Sequence, residues 1–92
     1  MNLVERFKTE RIAINCETEQ EANKFIDWCY DNGMEFGYRS EKTYFSKYLE
    51  RTCYVYNYHG DCKLEYCRVG FYEENNWKII KYKDYFKEGI KN

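Results

Sequence analysis

Apolar and polar positions group along this chain with two different periods. From Arg11 to Cys16, the residues Ile12, Ile14 and Cys16 alternate with Ala13 and Asn15, the period of a strand. The period then lengthens. Ala22, Phe25, Ile26 and Cys29 fall at i, i+3, i+4 and i+7, one apolar stripe of a helix from about Glu19 to Asn32. Thr18-x-x-Glu21 reads as a capping box at its start: the Thr18 oxygen accepts from the N3 amide, and Glu21 reaches back to the cap amide. Gly33 can take the left-handed conformation that ends the helix. Trp28 and Tyr30 sit off the stripe.

Beyond the helix, Met34, Phe36 and Tyr38 alternate with Glu35, Gly37 and Arg39, which predicts a short second strand. Residues 40–50 carry Tyr44, Phe45, Tyr48 and Leu49 without a period, so a helical turn or ordered loop is expected. From Thr52 to Tyr58 alternation returns, with Thr52, Tyr54, Tyr56 and Tyr58 on one face and Cys53, Val55 and Asn57 on the other. His59-Gly60-Asp61 reads as a three-residue hairpin loop, and Cys62 to Arg68 as the returning strand, with Leu64 and Tyr66 on one face and Lys63 and Glu65 on the other. Gly70 to Asn76 breaks the pattern and Asn75-Asn76 suits a turn. Trp77 to Tyr82 predicts a last strand, and Asp84 to Phe86 a short helical turn. Residues 1–9 read as a polar lead-in, and 11–86 as the core of a single domain, 1–92. The order β-α-β-β-β-β predicts an α+β fold with one main helix packed on a mostly antiparallel sheet.

Composition sharpens this picture. There are 11 tyrosines, six phenylalanines and two tryptophans but no proline, and leucine occurs only at Leu3, Leu49 and Leu64. Aromatic rings must therefore do the core work usually done by leucine, and the hydroxyls need partners or water. The abundance of Lys, Asn, Tyr, Ile and Phe, all spelled by AT-rich codons, points to a low-GC genome. The net charge of −1, from 15 basic and 16 acidic residues, argues against a general polyanion binder. Charge is unevenly spread, however. Glu17, Glu19, Glu21, Asp27 and Asp31 make the helix acidic, while Lys78, Lys81, Lys83, Lys87 and Lys91 make the C-terminal segment basic. Each block reads as a solvated face or as one half of a complementary contact. No apolar run is long enough to span a membrane and residues 1–15 have no apolar leader, so a cytoplasmic location is expected.

The five cysteines, Cys16, Cys29, Cys53, Cys62 and Cys67, are odd in number and form no CxxC pair, which predicts reduced thiols. His59-x2-Cys62-x4-Cys67 offers too few ligands for a structural zinc site, and Cys62 and Cys67 would face opposite sides of one strand. No metal and no cofactor are expected. The chain has no GxGxxG, Walker-type loop, HExxH or GxSxG. Glu73 and Glu74 are neighbours that would point apart, and no base with an orienting partner can be assembled, so no enzymatic activity is expected.

The candidate binding face is the row Tyr54, Tyr56 and Tyr58, with Tyr66 beside it across the hairpin and Arg51 and Arg68 flanking it. Tyrosine and arginine are over-represented at binding hot spots, and stacked rings also suit bases. The alternative is that these rings pack beneath the helix in a leucine-poor core. Ile14-Asn15-Cys16-Glu17-Thr18-Glu19-Gln20-Glu21-Ala22, Phe25-x2-Trp28, Asn32-Gly33, Thr52-Cys53-Tyr54 and the closing Trp77-Lys78-Ile79-Ile80-Lys81-Tyr82-x-Asp84-Tyr85 occur in a recognisable order. That order, across roughly residues 11–86, resembles small uncharacterised proteins of phages and prophages in low-GC Gram-positive bacteria; Phe36 stands where a tryptophan is expected. The resemblance implies a mobile-element origin, a small α+β fold and no catalytic residues to carry over. The expected function is that of a non-catalytic accessory or counter-defence inhibitor, acting in the host cytoplasm on a host protein or a small signalling nucleotide. The alternatives are a nucleic-acid-binding regulatory module and a structural module that self-associates, for example as a homodimer.

Overall fold

The computed structural model describes residues 2–38 and 41–90, the side chains of 88–90 excepted. Arg39 and Lys91 of the sequence reading lie outside the described residues. The fold is α+β, with four α-helices and one four-stranded mixed sheet among the described residues, the strands in the order β3-β2-β1-β4.

The first helix, α1 (Leu3–Thr9), occupies the stretch read as a polar lead-in. Asn2 caps it by accepting the Glu5 N–H at 2.9 Å, and Phe7 is fully buried. Leu3, Val4 and Phe7 are a one-turn apolar stripe, too short to stand out without knowing what it packs against. Strand β1 (Ile12–Asn15) follows and is buried along its whole length. Helix α2 (Glu19–Asp31) buries Ala22, Phe25, Ile26 and Cys29, the stripe expected from its spacing. The Thr18 hydroxyl accepts the Glu21 N–H at 3.1 Å. The Glu21 carboxylate, however, accepts from the Glu17 amide at 2.9 Å, one residue before the cap. Gly33 takes φ +77° and turns the chain out of the helix.

Among the described residues of the second strand expected over 34–39, no strand forms. Only Phe36 bridges to Leu64, anchored by the Leu64 N–H donating to the Glu35 carbonyl at 2.8 Å. Alternation buries Met34 and Phe36 but cannot supply a pairing partner beyond one residue. Two 3₁₀ turns, Phe45–Lys47 and Leu49–Arg51, then lead into β2 (Thr52–Tyr56). The hairpin loop is longer than three residues. Asn57, at φ +62°, ends β2; its N–H donates to the Lys63 carbonyl at 2.9 Å and its side-chain oxygen accepts the Cys62 N–H at 2.7 Å. Asparagine tolerates this left-handed conformation better than most residues.

Strand β3 (Leu64–Arg68) pairs antiparallel with β2, setting Thr52 opposite Arg68, Tyr54 opposite Tyr66 and Tyr56 opposite Leu64. The stretch read as pattern-breaking holds α3 (Val69–Glu74) before the turn at Asn76, where φ is +65°. Strand β4 (Lys78–Lys81) then pairs in parallel with β1, Ile14 lying beside Ile80. The final turn is a longer helix than expected, α4 (Tyr82–Ile90). The Tyr85 hydroxyl donates to the Leu3 carbonyl and so ties α4 to α1.

The sheet separates two cores. Ile12, Ile14, Cys16, Tyr54, Leu64 and Ile80 pack with Phe7 of α1, the stripe of α2 and Tyr85 of α4. On the opposite face Ala13, Cys53 and Val55 pack with Tyr72 of α3 and Trp77. Strands β1 and β2 are therefore covered on both sides. No helix among the described residues is long and apolar enough to cross a membrane.

Candidate binding surface

The six residues singled out in the sequence do not form one surface. Tyr54 is fully buried, and its hydroxyl donates to the Thr43 carbonyl at 2.6 Å. Burial, above all, raises its pKa well above the usual phenol value. Tyr56 is half-buried on the same face, its ring 6.5 Å from that of Phe7. Tyr58 is not on that face. The left-handed Asn57 ends the alternation, and Tyr58 stacks on Trp77 at 5.4 Å in the opposite core. Arg51 and Arg68 are exposed at the end of the β2–β3 pair, and the Arg68 guanidinium lies against Gly70 at the start of α3.

Tyr66 alone joins a tyrosine row, built from other segments. Its ring stacks on that of Tyr44 with centroids 4.7 Å apart and planes 10° apart. Tyr38 lies 6.1 Å beyond Tyr44, and Tyr48 lies 6.1 Å from Tyr66 on the other side. Phe36 supports the stack, its ring 5.0 Å from Tyr44 and 6.4 Å from Tyr66.

Local structure holds this row in place. The Phe36 N–H donates to the Tyr30 hydroxyl of α2 at 3.1 Å. The Tyr44 hydroxyl donates to the Tyr38 carbonyl at 3.4 Å. The Thr43 side chain accepts the Phe45 N–H at 3.3 Å, while its carbonyl receives the Tyr54 hydroxyl, so the loop is fastened to the core beneath it. Tyr44 and Leu49 both take positive φ, +57° and +52°. Left-handed backbone at non-glycine residues is costly and persists only where surrounding contacts impose it.

The row borders a cleft of about 220 Å³ between the 36–38 segment and β3, which also takes in Asp61 and Lys63. The Lys63 stem packs on Gly37, 3.7 Å from where a β-carbon would sit. The Lys47 ammonium lies 5.6 Å from the Tyr48 ring centroid. Burial raises the Tyr66 pKa, with Lys47 opposing and Tyr38, Tyr48 and Tyr44 adding to the rise. Tyr66 therefore stays a neutral phenol at physiological pH. Among the described residues, two large hydrophobic residues stand out as exposed, Tyr38 at 70% and Leu49 at 52%. Tyr38 ends the row, and Leu49 adjoins Tyr48 in sequence. The signal in the sequence for this surface is a tyrosine-rich stretch without a period, residues 38–48.

Titratable groups elsewhere are dispersed. The His59 Nε2 lies 3.3 Å from the Glu65 carboxylate, and burial raises the Glu65 pKa against the opposing pull of His59. Cys62 is exposed in the hairpin loop, while Cys67 is half-buried on β3. Among the described residues, no three His, Cys, Asp or Glu side chains converge to hold a metal ion. All five cysteines are free thiols. Burial, the largest influence on each, raises the pKa of Cys16, Cys29 and Cys53. No known protein family, curated protein or solved structure matches this chain.

Proposed function

We propose that this chain is a non-catalytic protein-binding module whose contact surface is the row Tyr38, Tyr44, Tyr66 and Tyr48, with Leu49 and the adjoining cleft. In the phage or prophage setting that the sequence resemblance implies, the module serves as an accessory or counter-defence inhibitor of a host protein. The observation that carries the reading is the exposure of Tyr38 at one end of a preformed stack, with exposed Leu49 next in sequence to Tyr48 at the other. Exposed apolar surface gathered in one place marks interaction sites, and rigid tyrosines give contact area at low entropic cost.

A protein fits this surface better than a nucleotide or a nucleic acid. The cleft of about 220 Å³ suits one anchoring side chain, whereas small-molecule pockets run from roughly 300 Å³ upward. Two carboxylates, Asp61 and Glu65, against one lysine, Lys63, in its wall disfavour a phosphate. Tyr44 and Tyr66 stack on one another, which leaves fewer ring faces for bases.

The test is capture of a partner from a lysate of a low-GC Gram-positive bacterium by immobilised wild-type and Tyr38→Ala protein, with partners identified by mass spectrometry. A specific protein retained by wild type and lost by Tyr38→Ala at unchanged melting temperature supports the reading. Equal capture by the two removes this surface from it.

A further inference from the structure

Cys53 and Cys67 stand directly opposite one another in the antiparallel β2–β3 pair. The hairpin loop fixes the type of that pair. Asn57 donates to the Lys63 carbonyl, so residues 57 and 63 face one another through a backbone hydrogen bond. Pair type alternates along an antiparallel ladder, so Val55 with Glu65 and Cys53 with Cys67 are also of the hydrogen-bonded kind. Opposed Cα atoms in such a pair are about 5.5 Å apart, within the roughly 4.4–6.8 Å that a disulfide spans. Both side chains leave the same face of the sheet and belong to the second core.

The two thiols differ in access. Cys53 is fully buried, while Cys67 is half-buried at the edge strand. Burial first, and then neighbouring groups led by Cys67, push Cys53 up to about 12, so it is held as a thiol. Cys67 donates to the Tyr48 hydroxyl at 3.9 Å, which places it at the rim of the tyrosine row. One reachable sulfur beside one sheltered sulfur is the arrangement of an attacked and a resolving cysteine.

We propose that Cys67 and Cys53 are a peroxide-responsive thiol pair that closes a cross-strand disulfide. A hydroperoxide is the oxidant. The Cys67 sulfur attacks its O–O bond; an S–O bond forms, the O–O bond breaks, and with hydrogen peroxide the departing oxygen leaves as water with the Cys67 proton. The Cys53 sulfur then attacks the Cys67 sulfur. The S–S bond forms, the S–O bond breaks, and the departing hydroxide takes the Cys53 proton as a second water. Two thiols lose two electrons and two protons, and the peroxide is reduced to two waters. The bond ties β2 to β3 and withdraws the Cys67 thiol from Tyr48, whose ring contacts Tyr66. The proposal is independent of what the tyrosine row binds.

Two competing thiols shape the test. Cys62 is exposed, and Cys16 has Cys53 and Cys29 as electrostatic neighbours. The full chain carrying Cys62→Ser is reduced, treated with stoichiometric hydrogen peroxide, quenched, alkylated and analysed by mass spectrometry. The expected result is an intact mass lower by about 2 Da before alkylation, with tryptic fragment 52–63 joined to 64–68, and reversal by dithiothreitol. Cys67→Ser abolishes the link. Cys53→Ala, which keeps the buried site apolar, leaves Cys67 carrying oxygen with no link. A bond between any other two cysteines overturns the proposal. So does oxygen on Cys67 while Cys53 remains alkylatable, or an unchanged mass.

Discussion

On one face of the sheet, α1, α2 and α4 press a layer of rings against β1, β2 and β3: Phe25 contacts Phe7, Trp28 and Tyr54, and Trp28 contacts Phe86. On the other face a six-residue helix, α3, supplies Tyr72, which packs with Trp77, Ala13, Cys53 and Val55. Among the described residues, sixteen buried residues make the first cluster and five the second. Buried apolar area sets stabilisation to first order, so the first face carries most of the fold. The second face has half-buried Cys67, Val69, Phe71 and Ile79 at its margin, which lets solvent and small oxidants approach the sulfur at the edge strand.

Alkali tests both faces together and is expected to have the largest effect. Cys16, Cys29 and Tyr54 lie on the first face, Cys53 and Tyr72 on the second, and burial raises the pKa of all five. In the unfolded chain these groups ionise near their ordinary values of 9.0 for thiols and 10.0 for phenols. The folded protein keeps them protonated, so it binds more protons than the unfolded chain in that range. Their contribution is fully present below pH 9 and is lost as pH rises, by up to roughly 1.4 kcal/mol per pH unit for each group. Urea midpoints measured from pH 8 to 11 should fall steeply above pH 9. A flat profile would mean that these groups are solvated.

Two truncations separate the faces. Phe25 is fully buried and meets Phe7, Trp28, Tyr54, Tyr82 and Phe86. Phe25→Ala should cost about 4 kcal/mol, a large part of the roughly 5–14 kcal/mol expected of a chain this size. Val55, fully buried on the thinner face, should cost about 2 kcal/mol as Val55→Ala. Equilibrium denaturation of the two variants ranks them. A larger loss at Val55 than at Phe25 would reverse the assignment of the main core.

The same division explains what was legible in the sequence. Helix α2 was readable because its stripe and its cap are local features, four residues apart or less. The cores of β1, β2 and β3 were readable from alternation. What alternation could not show is that β1 and β2 are buried on both sides, because that depends on α3, a helix containing Gly70 and lacking a capping side chain. The parallel pairing of β1 with β4 joins residues more than sixty positions apart and leaves no local trace. The site was less legible than the fold. A single left-handed residue, Asn57, moved Tyr58 across the sheet. The row that did form gathers Tyr38, Tyr44, Tyr48 and Tyr66 from different segments, so no spacing in the chain encodes it.

A cap substitution acts on the first face alone. Thr18→Ala removes the acceptor of the Glu21 N–H and should cost about 1 kcal/mol. The Glu21 carboxylate still holds the Glu17 amide, so the α2 start is loosened rather than lost. Hydrogen exchange should quicken in the first turn of α2 and leave α3 unchanged. Equal acceleration in α3 would mean that the two cores unfold as one unit at this level.

The smallest effect on stability is expected where the proposed effect on binding is largest. Tyr38 is 70% exposed, and its ring contact is with Tyr44 at 6.1 Å, the outermost step of the row. Tyr44 does not depend on it for burial, since Tyr44 is held by the Tyr66 stack and by Phe36. Tyr38→Ala should therefore change stability by less than about 0.5 kcal/mol. Tyr66→Ala is the instructive partner. Its half-buried ring carries Tyr44 and Tyr48, so its removal should loosen the loop as well as the surface, at a cost between those of Tyr38→Ala and Val55→Ala. Thermal melts of the two variants, read beside partner capture, separate contact from support. Tyr38→Ala should lose capture at an unchanged melt, and Tyr66→Ala should lose both. If Tyr38→Ala melts as early as Tyr66→Ala, the outer ring is a structural brace, and Leu49 is left as the exposed apolar contact on this surface.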